Sequence, residues 1–117
     1  MIVKRIVANI AATDVAAAKA FYGDILGLDT VMDQGWIATF ASPEQAAAQL
    51  SVATQGGSGK DVPDLSIEVD DLDAAMQRMQ AGGVAIVHGP VLEPWGVRRF
   101  FVRDPFGRLL NIMAHET

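Results

Sequence analysis

The sequence contains no cysteine. That excludes a disulfide framework, a cysteine-ligated zinc or cluster site, and thiol catalysis. Histidine is almost as scarce, with His88 and His115 alone. No unbroken apolar run exceeds four residues, as at Val15–Ala18 and Val84–Val87, so no stretch suits a membrane-spanning helix. Basic residues are in the minority: 9 Lys and Arg stand against 14 Asp and Glu, a net charge of −5. Without a basic stripe to displace counterions, neither a nucleic-acid nor a membrane partner is expected. The opening Met1-Ile2-Val3-Lys4-Arg5 carries no long apolar stretch and no cleavage site, so the expected location is cytoplasmic. What is present is a chain of 117 residues, half of them apolar. That length fits one domain, 1–117, burying roughly two-thirds of its unfolded surface without a metal or disulfide staple.

Periodicity divides the chain. From Lys4 to Ala12, Ile6, Ala8 and Ile10 alternate with Val7, Asn9 and Ala11, which predicts a strand. A helix follows. Asp14 suits its N-cap and its dipole; Val15, Ala18, Tyr22 and Ile25 make one apolar stripe; Gly27 suits its end. Strands are predicted at Asp29–Asp33, Gly35–Ala41 and Gln49–Gln55, with Pro43–Ala48 as a loop or short helical turn. Gly56-Gly57-Ser58-Gly59-Lys60 lacks the Ser or Thr of a phosphate loop, since Asp61 follows the lysine, and no helix starts there. It is read as a linker.

The pattern then repeats. Leu65, Ile67 and Val69 alternate with polar neighbours as a strand. Asp71 caps a second helix, whose stripe is Leu72, Ala75, Met76 and Met79 and whose end is Gly82-Gly83. Strands are predicted at Val84–His88, Val97–Arg103 and Leu109–Ala114, the last two joined by a turn at Asp104-Pro105-Phe106-Gly107. A shift of 57 residues lays Ile10 on Ile67, Asp14 on Asp71, Ala17 on Ala74 and Ala18 on Ala75. That pattern suggests an internal duplication: module one at about 1–55, a linker at about 56–62, and module two at about 63–117.

With these elements in place, the chain resembles the vicinal oxygen chelate superfamily, which includes glyoxalase I, bleomycin-resistance proteins and extradiol dioxygenases. The residues that carry the resemblance are Asp14-Val15 leading to Phe21-Tyr22 and Leu26-Gly27-Leu28. In the second half they are Glu68-Val69-Asp70-Asp71, then Phe101-Val102-Arg103-Asp104-Pro105-Phe106-Gly107, then the strand to Ile112. The resemblance implies an α+β fold of two βαβββ modules. Each makes a curled mixed sheet with its helix on the convex face, and the two sheets enclose a shared cleft. It also implies a homodimer.

Enzymes of that superfamily hold a divalent metal through His and Glu on the first and last strands of each module. Carried over by the helix starts and the Asp-Pro-x-Gly turn, the four positions fall on Val7, Gln49, Asp64 and Asn111. Val7 has no donor, Gln49 and Asn111 offer neutral amides, and only Asp64 is charged. That set suits neither a transition metal nor a hard cation. No metal and no cofactor is therefore expected.

Strand alternation predicts which side chains line the cleft: Val7, Asn9, Gln49, Ser51, Asp64, Ser66, Glu68, Asn111 and Met113. On Val97–Arg103, Arg99 and Phe101 face inward if Phe100 and Val102 meet the helix; the opposite register turns Arg98 inward. Trp36 and Trp95 are candidates for stacking on a planar ligand, or for capping the core. His88 and Glu93 are candidates for acid–base work, against a plain turn histidine. The expected ligand-binding set is Asn9, Trp36, Gln49, Asp64, Glu68, Trp95, Arg99, Phe101 and Asn111. Three functions follow: metal-free binding of a small organic molecule, as in drug or metabolite sequestration; a metal-dependent glyoxalase-type lyase or dioxygenase; and a non-catalytic interaction module with a vestigial cleft.

Overall fold

The structure is a computed structural model that describes the chain except residues 3, 4, 6, 47, 48, 50, 116 and 117. Helix α1 (Val15–Ala18) begins where predicted. The Asp14 carboxylate accepts from the Ala16 N–H at 2.9 Å, satisfying one of the free donors of the first turn. The helix then widens into a π-wound segment, Lys19–Ile25. There the Leu26 N–H donates to the Phe21 carbonyl, five residues back. One continuous α-helix was expected. The wider winding still buries Phe21 and Tyr22 together, their rings edge to face at 5.0 Å.

Two antiparallel strands follow, β1 (Asp29–Asp33) and β2 (Ala38–Ala41), with an irregularity between Thr30 and Met32. Of the strand predicted at Lys4–Ala12, the described residues Arg5 and 7–12 form no strand. The same holds for Gln49 and 51–55 of the strand predicted at Gln49–Gln55. Lys4, Ile6 and Leu50 lie outside the described residues. Alternation reports a half-buried pattern, whereas a strand also needs a neighbour to complete its ladder. Between β2 and the linker, residues 43–46 are loop; Ala47 and Ala48 lie outside the described residues.

The second half forms a complete βαβββ unit. Strand β3 (Leu65–Glu68) leads into helix α2 (Leu72–Ala81), capped by Asp71 through the Ala74 N–H at 3.0 Å. Strands β4 (Ile86–Leu92), β5 (Val97–Arg103) and β6 (Leu109–His115) complete it. The sheet order is β3-β6-β5-β4, with β3 parallel to β6 and the other pairs antiparallel. Helix α2 must cross the sheet to join its two outer strands, so it covers one face. That face is apolar. Phe100 and Val102 of β5 and Leu110, Ile112 and Ala114 of β6 pack with Leu72 and Met79 of α2 and with Ala18, Phe21 and Tyr22. Both helices therefore lie on the same side.

Strand β4 runs four residues past the predicted His88 boundary. It passes through Gly89-Pro90 by two register shifts, before and after His88. Gly89 permits this: its φ is +81°, and a Cβ there would sit 2.5 Å from the Arg99 carbonyl oxygen. The turn between β5 and β6 is organised by Asp104. One carboxylate oxygen accepts from the Phe106 and Arg108 N–H groups at 2.9 and 2.8 Å, and the other accepts from the Tyr22 hydroxyl at 2.7 Å. No helix among the described residues is long and apolar enough to cross a membrane.

Candidate functional site

The strand register builds a polar surface on the face away from the helices. His88, Phe101, Asn111 and Ser66 pair across β4, β5, β6 and β3 as one row. Val91, Arg99, Met113 and Glu68 form the next. With Phe100 and Val102 in the core, Arg99 and Phe101 take this helix-free face. Arg98 points the other way and pairs with Asp73 of α2 at 2.9 Å.

Arg99 is the centre of this surface, although only 4% of it is exposed. Its guanidinium lies 4.7 Å from the Phe101 ring centre and 5.2 Å from that of Trp95, distances at which ring and cation attract. Nη2 lies 3.4 Å from Glu93 Oε2, another buried group. Nη1 donates to the Gly56 carbonyl at 2.7 Å and Nη2 to that of Gly57 at 3.3 Å. Glu93 also accepts from the Ser58 hydroxyl at 2.6 Å. His88 Nε2 stands 3.8 Å from Glu93 Oε1, beyond hydrogen-bond reach, and its ring meets Phe101 edge-on. Among the described residues, the buried side-chain atoms without a hydrogen-bond partner are His88 Nε2, Arg99 Nε and Asn111 Oδ1. All three belong to the two adjacent rows of this face.

The nine residues expected at the site do not converge in one chain. Glu68, Arg99, Phe101 and Asn111 share the helix-free face, and Trp95 covers Arg99 from the loop before β5. Glu68 is exposed and pairs with His115 at the rim. Asp64 sits beside the same face, but its carboxylate accepts from the Leu109 N–H at 2.8 Å. Asn9 and Trp36 instead line a cavity of about 800 Å³ on the helix side, with Val7, Tyr22, Phe40 and Ile67. Gln49 is exposed, outside any strand.

The superfamily model for "Glyoxalase/Bleomycin resistance protein/Dioxygenase superfamily" matches residues 3–112. The chain belongs to that superfamily. Among solved structures, TnmS3, an antibiotic binding protein from Streptomyces sp. CB03234, is 27% identical. That alignment covers 92% of this chain and 91% of TnmS3, with a TM-score of 0.69. TioX from Micromonospora sp. ML1 is 22% identical over 97% and 98% of the two chains, with a TM-score of 0.64. A lactoylglutathione lyase from Agrobacterium tumefaciens is 23% identical over 88% and 87%, with a TM-score of 0.63. The last two likenesses show the fold. A search of curated proteins returned no match.

The metal positions implied by the superfamily do not make a site in this chain. The Val7 side chain has no donor atom, and Gln49 lies in exposed coil. The Asp64 carboxylate is engaged by a backbone N–H. Asn111 gives its amide N–H to Ser66 Oγ at 3.1 Å and keeps only a neutral oxygen free. Among the described residues, no three His, Cys, Asp or Glu side chains come together to hold an ion. A divalent transition metal needs imidazole or carboxylate donors in number, so this donor set does not fit one.

Two parts of this surface were not identified by their residue types. The Gly56–Lys60 stretch looked like slack chain, yet its carbonyls meet Arg99. Glu93 looked like a partner for His88, yet it is the counter-charge of Arg99. Gly57 was the available signal, because a Cβ there would sit 2.8 Å from Trp95 Cη2 and 3.1 Å from Arg99 Nη2.

Proposed function

We propose that the protein binds a small organic molecule on the helix-free face of the four-stranded sheet, without a metal, and acts by sequestration of a drug or metabolite in the cytoplasm. The observation that carries this reading is that three buried polar atoms without partners, on His88, Arg99 and Asn111, belong to two adjacent rows of one face. Burying such atoms unpaired costs about 1–3 kcal/mol each, which a ligand's polar groups would recover. Trp95, Arg99 and Phe101 form the stacking platform, and Asn111 and Glu68 orient the ligand. The 27% identity to an antibiotic-binding protein supports the same reading. A metal-dependent lyase or dioxygenase would need imidazole or carboxylate donors where Val7, Gln49 and Asn111 stand.

The working unit in this proposal is a homodimer of two-module domains (1–55 and 63–117, joined by 56–62). In one chain Asn9, Trp36 and Gln49 stand apart from Arg99. A second copy would bring its own first half over the helix-free face and join the two sets. Trp36 is 77% exposed and Val52 92% exposed, which suits a surface that a partner copy covers.

The test is a thermal-shift screen with planar aromatic drugs and glutathione adducts, with sedimentation and metal analysis of the same preparation. A ligand at 100 times its Kd should add about 2.7 kcal/mol of stability. Trp95→Ala should weaken binding while leaving stability nearly unchanged. A stoichiometric transition metal that survives dialysis overturns the metal-free reading. Silence across the panel favours a non-catalytic interaction module instead.

A further inference from the structure

The stretch joining the two halves is a built loop. The Gly56 N–H donates to the Lys60 carbonyl at 2.7 Å, and the Lys60 N–H returns to the Gly57 carbonyl at 3.0 Å. The Gly59 N–H reaches Gln55 Oε1 at 2.8 Å. Gly57, Ser58 and Gly59 all have positive φ, at +87°, +51° and +72°. Ser58 therefore accepts a conformation that favours glycine.

This loop is fitted to the platform. A Cβ on Gly57 would come within 2.8 Å of Trp95 Cη2 and 3.1 Å of Arg99 Nη2. The Ser58 hydroxyl latches onto Glu93. What the loop offers Arg99 is two neutral carbonyl oxygens from successive residues. The fit is incomplete, because Arg99 Nε stays buried without an acceptor.

We infer that the Gly56–Lys60 loop occupies the ligand's place on Arg99, and that the ligand is a neutral, planar molecule with two adjacent carbonyl oxygens on one edge and no donor between them, such as a cyclic 1,2-dione. This rests on the ligand-binding reading above and names the class of molecule. Charge argues for neutrality. Glu93 already faces the guanidinium, so an anionic ligand would set two carboxylates on one buried cation. A cationic ligand would face that guanidinium at close range, where the low dielectric magnifies repulsion. A neutral dicarbonyl replaces the two peptide oxygens in kind and lays its ring beside Trp95. Lifting the loop breaks the Ser58–Glu93 latch, so the latch opposes binding.

The experiment titrates the full chain with three flat probes by calorimetry: isatin, indole-2-carboxylate and N-methylquinolinium. Isatin should bind at least about tenfold more tightly than either ion, the factor that one hydrogen bond of about 1.4 kcal/mol carries. Ser58→Ala should strengthen isatin binding, since it weakens the competing loop. Amide exchange at Gly56 and Lys60 in the unmutated protein should speed up when isatin is bound, a readout that needs no variant. Tighter binding of either ion overturns the inference. So does isatin binding that leaves both amides protected, which would make the loop a structural pin only. If other compounds in the thermal-shift panel bind and isatin does not, the inference falls while the ligand-binding reading stands. If nothing binds in either experiment, both fall.

Discussion

The two halves of this chain start from the same pattern of cap, apolar stripe and terminal glycine, and they end differently. The second half builds four paired strands whose middle members are almost wholly buried: Phe100, Val102, Leu110 and Ile112 are all 0% exposed. Among its described residues the first half builds a helix and two strands, and β1 is exposed along its whole length. Its helix nevertheless belongs to the common core through Ala18, Phe21 and Tyr22. A repeated pattern specifies which side chains face inward. It does not supply the neighbour that turns an extended segment into a strand.

The strongest way to break this contrast is truncation of the buried middle. Phe100→Ala should cost about 3–5 kcal/mol, read by urea unfolding, because it empties a fully packed position. Val31→Ala, on the exposed strand β1, should change stability by less than about 0.5 kcal/mol. A larger loss at Val31 would mean that a second copy covers the first half in solution.

Tyr22→Phe probes the joint between the halves. It removes a donor from the buried Asp104 carboxylate and should cost about 1–3 kcal/mol. The joint also has a pH signature. Burial, the hydrogen bond to Asp104 and that carboxylate's charge push the Tyr22 hydroxyl above its ordinary value of 10.0. The stabilisation is therefore complete below pH 10.0, and it is lost as pH rises beyond that toward the folded value. Unfolding midpoints measured above pH 10.0 should fall more steeply for the unmutated protein than for Tyr22→Phe.

The smallest effect belongs to Asp33, at the end of β1. Its hydrogen bond with Lys19, and a second from the Gly35 N–H, hold its carboxyl below the ordinary 3.8. What it contributes is present above that value and disappears as pH falls through the lowered one. Lys19→Ala should move the Asp33 titration, followed by NMR, back toward 3.8. An unmoved titration would mean that the pair is not formed in solution.

Much of this was legible in the sequence. Asp14 and Asp71 cap their helices because a short acceptor before an apolar stripe has free N–H groups to satisfy. Alternation left the register of β5 open between Arg98 and Arg99, and the burial of Phe100 and Val102 decides it for Arg99. Other features were not legible. The widening of the first helix at Lys19 has no residue signature comparable to a proline. The continuation of β4 through Gly89-Pro90 depends on a close approach to the Arg99 carbonyl, which is a property of the pair of strands. The separation of Asn9 and Trp36 from Arg99 depends on how the halves meet, which strand alternation does not encode.

Asp104 carries a consequence for anyone recombining relatives of this chain. Its carboxylate shapes the hairpin with one oxygen and fastens the first helix with the other. A chimera that grafts a foreign N-terminal half onto this C-terminal half inherits a socket cut for a phenol. Donor halves that place tyrosine opposite the turn should dock, and those that place an aliphatic residue there should leave a bare charge at the seam.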